Sequence, residues 1–198
     1  MTSLPKTLKT FAPRAAVLAA ACLVAACAVG PRPQGQVGTY DFGPPAAVAP
    51  GARLKAVAGI EVVAPRWLDS TQAHYRLAYA NAAQPMAYAQ TRWVMPPPVL
   101  IEARARERAV AQGTVVGGAG ALLRIELDEF AQVFDSEKTS RAVLRARATL
   151  QNGREVLKQR RFVVEEAAPT PDGPGGAAAL ARGADRLIES VLDWAGGG

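Results

Sequence analysis

From Ala121 to Glu165 the chain alternates apolar and polar side chains almost without a break, and that period commits the segment to a sheet. Leu123, Ile125 and Leu127 fall on one side, and Arg124, Glu126 and Asp128 on the other. Past Glu129 the apolar set becomes Phe130, Gln132 and Phe134, the opposite parity, so a β-bulge near Asp128-Glu129 is expected to reset the face. Arg141 to Leu150 turns Ala142, Leu144, Ala146, Ala148 and Leu150 inward and Arg145, Arg147 and Thr149 outward. Asn152-Gly153 is the favoured pair for a two-residue type I′ hairpin, with Arg154 to Glu165 as the return strand. With that pair as the loop, Arg147 faces Lys158 and Arg145 faces Arg160. Like charges directly opposite are destabilising, so the polar face needs acids. Glu126 and Asp128 can supply them, in a row Asp128–Arg147–Lys158. The alternative is a basic face of Arg145, Arg147, Lys158 and Arg160, open to an acidic partner or to lipid head groups.

The remaining elements follow the same rules. Strands are expected at Leu54 to Ala64, His74 to Ala80 and Met86 to Met95, each closed by a proline or turn-forming residues. Pro96-Pro97-Pro98 stops the third strand and opens a helix over Val99 to Gln112. Its thin stripe is Ile101, Ala105, Ala109 and Gln112, with Glu102, Arg104, Arg106 and Glu107 mostly elsewhere. Gly117 to Gly120 is a loop, without the Lys and Ser/Thr that a phosphate-binding loop needs. Glu165 to Gly176 is a further loop. Ala177 to Ala195 is the strongest helix: Leu180, Ala184, Leu187, Ile188, Val191 and Leu192 share one stripe, with Arg182, Asp185, Arg186, Glu189 and Asp193 outside it. The expected fold is α/β (α+β): a mainly antiparallel sheet of about six strands with two helices packed against it, in the order βββ-α-βββ-α.

The N-terminus carries a different signal. Lys6, Lys9 and Arg14 precede a short apolar run, Ala15 to Ala26, which has the layout of a secretory signal. A spanning helix needs about 20 apolar residues, so the run is too short to be one. Val24-Ala25-Ala26-Cys27 resembles a bacterial lipobox, and the resemblance implies cleavage before Cys27 and acylation of it. An ordinary signal peptide cut elsewhere is the competing reading. Ala28 stands where aspartate would signal inner-membrane retention, which by the same resemblance favours the outer membrane. The expected organisation is a signal peptide at 1–26, a lipidated Cys and Pro/Gly-rich tether at 27–52, and one domain at 53–196. Within the tether, Tyr40-Asp41-Phe42 is either a short docked edge strand or solvated linker.

Several function classes lose their chemistry. Removing residues 1–26 leaves 20 basic against 17 acidic residues, a mild net charge of +3. No basic run is interleaved with aromatics, so nucleic acid is not an expected partner. Past the signal Cys27 is the only cysteine, so no internal disulfide forms and no Cys-based zinc site can be assembled. No metal or cofactor is expected. His74 is the only histidine and is read as a surface strand residue. No Gly-x-Ser-x-Gly elbow occurs. A glycosidase-type carboxylate pair is the one catalytic class left open, and the acids mostly sit beside arginines on polar faces. The chain is therefore not expected to be an enzyme.

Three segments together carry a family likeness. They are Ile60-Glu61-Val62-Val63-Ala64-Pro65-Arg66-Trp67-Leu68-Asp69-Ser70 followed by Tyr75-Arg76-Leu77; Tyr88-Ala89-Gln90-Thr91-Arg92-Trp93 followed by Pro96-Pro97; and Leu123 to Phe134. In order and spacing they resemble the ABC-type transport auxiliary lipoproteins, the PqiC-like group, over about residues 54–195. The resemblance implies a lipid-anchored outer-membrane protein facing the periplasm. Its implied partners are an MCE-type substrate-binding protein and ABC transporter subunits, with lipid as cargo. A homo-oligomer stays open. Trp67, Leu68, Asp69, Tyr75, Arg76, Arg92 and Trp93 match the family-like segments and are the candidate partner-binding residues; for the aromatics among them, core packing is the competing role. The thin helix after Pro98 departs from the family pattern and could lie on the core or at a partner surface. The functional alternative is a structural or assembly lipoprotein, such as a component of a lipopolysaccharide translocon.

Overall fold

The alternating run folds into the centre of a sheet. In this computed structural model, which describes residues 37–45 and 55–197, the elements are β1 (Gly38–Tyr40), β2 (Ala56–Val63), β3 (Gln72–Leu77), α1 (Ala78–Asn81), β4 (Met86–Trp93), α2 (Pro97–Ala111), β5 (Val115–Val116), β6 (Ala121–Ser136), β7 (Thr139–Asn152), β8 (Glu155–Ala167) and α3 (Gly173–Gly196). Among the described residues there are thus eight strands and three helices, against an expected six and two. The short strands β1 and β5 carry too few residues to alternate. The strand expected to run to Ala80 stops at Leu77 and gives way to α1.

All eight strands join one sheet. One edge of β6 pairs with β7, which pairs with β8. The other edge is shared: its first half pairs in parallel with β2, from Ile60↔Leu123 to Val63↔Glu126, and its second half in parallel with β3, from Tyr75↔Gln132 to Leu77↔Phe134. Beyond this fork β2 continues to β5, and β3 continues to β4 and then β1. Four of the pairings are parallel and three antiparallel, so the sheet is mixed rather than mainly antiparallel. Parallel neighbours need long crossovers; α2 lies in the crossover that carries the chain from the β3–β4 pair back to β6.

The expected bulge is present. Asp128 is skipped between the pairs Leu127↔Ala146 and Glu129↔Arg145, at the point where β6 passes from β2 to β3. Leu127 and Phe130 both stay buried as a result. In the β2–β3 connection Pro65 O accepts from Leu68 N at 2.9 Å, and Leu68 is fully buried.

The hairpin register differs from the expected one. Asn152 pairs with Glu155, so the two central turn residues are Gly153 and Arg154. Gly153 alone has a positive φ, +58°, the sign pattern of a type II′ turn rather than type I′. A second irregularity follows, because Gln151 pairs with Val156 but Leu150 with Lys158. Arg147 therefore faces Arg161, Arg145 faces Val163, and Ala148 faces Arg160.

Both long helices cover one face of the sheet. The stripe expected on α3, Leu180 to Leu192, is buried throughout. The helix starts earlier than expected, at Gly173, where Asp172 Oδ1 accepts from Gly175 N at 2.8 Å as an N-cap. Helix α2 also lies on the core: Leu100, Ile101, Ala105 and Ala109 are buried. Part of the stretch read as tether belongs to the fold. Strand β1 pairs with β4, and buried Phe42 meets Trp93 edge-on at 5.7 Å and Phe130 at 6.1 Å. The docked reading of Tyr40-Asp41-Phe42 is the one the structure adopts.

Candidate functional site

On the face of the sheet away from the helices, the fork gathers Trp67, His74, Arg76 and Glu129. Trp67 meets the His74 ring edge-on at 5.2 Å, and the Arg76 guanidinium lies 5.7 Å from the Trp67 ring centre. Arg76 Nε donates to Glu129 Oε1 at 2.9 Å and Nη2 to Oε2 at 3.2 Å, a two-pronged pair. His74 is buried, not a surface residue. Its pKa is lowered, first by burial and then by Arg76, with Glu129 opposing.

The other candidates from the family-like segments scatter. Leu68 and Trp93 are buried in the core, where their burial gives them a packing role. Tyr75 is half-buried and packs against Tyr88 at 4.5 Å and Phe134 at 6.0 Å. Tyr88 Oη donates to Gln132 Oε1 at 2.7 Å, and Gln132 Nε2 donates to Ser140 Oγ at 2.7 Å; burial, then Tyr75 and Asp172, push the Tyr88 hydroxyl pKa up. Asp69 and Arg92 are exposed. The structure thus brings Trp67 and Arg76 together and leaves the remainder apart. Cys27 lies outside the described residues.

The basic face is also rearranged. Glu61 and Arg124 pair at 3.0 Å, Arg124 and Glu126 at 3.7 Å, and Glu126 and Arg147 at 3.3 Å. This is a cross-strand ionic row of the expected kind, but built on Glu61 and Glu126. Asp128 sits in the bulge, outside the register. Lys158 lies on the helix side and does not join the row: its Nζ donates to Trp194 O at 2.8 Å and Gly197 O at 2.6 Å, satisfying orphan carbonyls at the end of α3. Arg160 is also on that side, 5.4 Å from the Phe162 ring. Among the described residues Arg145, Arg160 and Arg161 take part in no ion pair.

One cluster was missed from the sequence. Arg104 and Arg108 of α2 are buried and converge on Asp185 of α3, at 3.0 and 3.6 Å. Arg104 also donates to Gly43 O, which ties the segment after β1 to the helices. Leu100, Arg104 and Arg108 recur every four residues on one row of the helix; that spacing was the available signal, and the charges masked it. Asp185 borders a cleft of about 570 Å³ that also takes in Tyr40, Phe42, Ala177 and Arg182. Among the described residues no cluster of His, Cys, Asp and Glu could hold a metal ion, and no helix is long and apolar enough to cross a membrane.

The architecture defines a class before it defines a family: an open mixed sheet covered on one face by two helices, with an ionic row and the Arg76–Trp67 contact on the other. The model of the ABC-type transport auxiliary lipoprotein component family matches residues 40–191, and the chain belongs to that family. It is thus a lipoprotein component auxiliary to ABC-type transport. The fold is similar to that of a Xanthomonas campestris protein of the DUF330 family, with a TM-score of 0.62 and 18% identity over 83% of this chain and 88% of that one. A second solved structure, described as an uncharacterized protein, gives a TM-score of 0.61 and 14% identity over 79% of this chain and 97% of the other. No curated protein matches the chain.

Proposed function

We propose that the chain is the docking subunit of an ABC/MCE-type system that moves lipid between membranes. It is held at the outer membrane by acylated Cys27, faces the periplasm, and contacts an MCE-type substrate-binding protein. The observation that carries this reading is the family match across 40–191, joined to the lipobox-like Val24-Ala25-Ala26-Cys27. The site geometry supports docking rather than catalysis. Arg76 and Glu129 are locked together, His74 is buried against Trp67 with its protonated form disfavoured, and Arg145 and Arg161 are exposed without an ion-pair partner among the described residues.

The test is purification of the full chain from detergent-solubilised envelopes, with a deletion strain alongside. Recovery of an MCE-type protein with the chain, and increased entry of hydrophobic dyes in the deletion strain, are expected. An intact barrier together with recovery of no such protein overturns the reading; recovery of a barrel protein with loss of surface lipopolysaccharide replaces it with the translocon alternative.

A further inference from the structure

Among the described residues the sheet leaves one long edge open: β8 spans Glu155–Ala167 and pairs there only with β7. A contrast within the molecule shows what a covered edge looks like. Along β2, Glu102 Oε2 accepts from Val62 N at 3.1 Å and Arg106 Nη2 donates to Ile60 O at 2.7 Å, so α2 side chains occupy backbone groups that no strand pairs. On β8 the one comparable contact is at its last residue, where Arg182 Nη2 donates to Ala167 O at 3.0 Å.

The register identifies which backbone groups face outward. Arg141 is opposite Ala167, and Ala168 N donates to Ser140 O at 3.0 Å, which marks Arg141↔Ala167 as a non-hydrogen-bonded pair. Such pairs alternate along an antiparallel ladder. Gln159, Arg161, Val163 and Glu165 therefore turn their N–H and C=O groups to the open edge.

The acids of β8 lie at its ends, at Glu155, Glu165 and Glu166, where Arg141 pairs with Glu165 and Arg182 and Arg186 pair with Glu166; between those ends the side chains have one sign. From Val156 to Val164 there is no acid, while Lys158, Arg160 and Arg161 are basic. Lys158 is engaged with the end of α3; Arg160 and Arg161 are not ion-paired, nor is Arg145 on the adjoining strand. On the same strand Val163 and Leu157 are 61% and 50% exposed. Natural edges are guarded by charge against unwanted pairing, and this charge disfavours a second copy, because self-pairing sets one cationic segment against another. It favours a strand of opposite sign.

We propose that the open edge of β8 is a docking edge, to which an extended partner segment alternating acidic and apolar side chains adds as a further strand. The main-chain groups of Gln159, Arg161, Val163 and Glu165 supply the ladder, as in other strand additions. Arg145, Arg160 and Arg161 select for acid, and Leu157 and Val163 receive the apolar positions. The inference rests on the docking role proposed above and gives that role a surface and a chemistry.

The probe is a capped decapeptide alternating Glu and Val, titrated against the mature chain by fluorescence anisotropy, with amide hydrogen exchange read at Gln159, Arg161, Val163 and Glu165. Binding with protection of those amides is expected. Val163→Pro removes one outward N–H and no ladder bond, and should weaken binding at least tenfold. N-methylation of alternate peptide residues should do the same, a control that needs no protein variant. A Lys/Val peptide should not bind. No binding of the Glu/Val peptide overturns the proposal. So does binding that survives both blocks without protecting the amides, or that vesicles of anionic phospholipid abolish in competition. Each of these failures leaves co-purification with an MCE-type protein untouched, so the docking edge and the transport role stand or fall separately.

Discussion

His74 is held beneath Trp67 with Arg76 beside it, and burial together with that cation disfavours its protonated form. Glu129 does not rescue the imidazolium, because both of its oxygens are taken by Arg76. The folded pKa lies below the ordinary 6.5, so between the two values the unfolded chain binds more protons than the folded one. By linkage, stability is fully present above about pH 6.5 and falls as pH drops from there through the folded pKa. The chain has one histidine, which makes the effect assignable. Urea midpoints measured from pH 7.5 to 5.5 should fall with pH in the native chain, and His74→Gln should flatten the slope over that interval. An unchanged slope in the variant would assign the pH dependence to other groups.

At the scale of elements, the first turn of α3 depends on glycines for contact rather than for helix propensity. A Cβ on Gly176 would lie 1.9 Å from Gln132 Oε1 and 2.5 Å from its Cδ. Gln132 cannot easily yield, since it is fully buried and holds Tyr88 and Ser140 at once. In an exposed helix Gly→Ala gains about 0.5–1 kcal/mol. Here the sign reverses, and Gly176→Ala should cost about 1–3 kcal/mol by overpacking, measured as a lower urea midpoint with an unchanged m-value. A neutral or stabilising result would mean that α3 can shift off the sheet at little cost. The same helix shows what the sequence makes legible. Its stripe from Leu180 to Leu192 has the helical period, and the period alone places it on the core. The alternation in β6 and β7 does likewise, and its change of parity locates the bulge at Asp128. What stays hidden depends on partners distant in sequence. Parallel pairing of β2 and β3 with β6 leaves no mark in their patterns. The Asn152-Gly153 pair names a hairpin but not which residues occupy its centre, and the shift of the turn to Gly153-Arg154, with the bulge after Leu150, replaces the Lys158 opposite Arg147 with Arg161. Arg104 and Asp185 look like solvated charges until the two helices meet. For the candidate site the same limit applies: the family-like segments contain Trp67 and Arg76, but nothing local distinguishes them from Leu68 and Trp93, which the fold buries.

At the scale of the whole molecule, anchor and fold meet earlier in the chain than the composition implies. The Pro/Gly-rich stretch reads as tether to residue 52, but β1 is already paired at Gly38 and Phe42 is buried between Trp93 and Phe130. If Cys27 carries the acyl chains, about ten residues separate it from the sheet, and at about 3.3 Å each they hold the folded body within some 40 Å of the bilayer surface. Two substitutions should then separate the functions. Cys27→Ser removes the acylated group, whose buried methylenes hold the membrane at about 0.8 kcal/mol each; it should move the chain from the membrane to the soluble fraction and leave Tm unchanged. Phe42→Ala should leave membrane association intact and cost about 3–5 kcal/mol, the usual range for a buried phenylalanine. The cost should appear first as faster exchange at Val94, whose N–H is held by Tyr40 O at 2.9 Å, because three residues of β1 have little to seat them once the ring is gone. Equal losses of Tm in both variants would show that the anchor segment is itself part of the fold, and the limit of some 40 Å would no longer describe what the protein can reach.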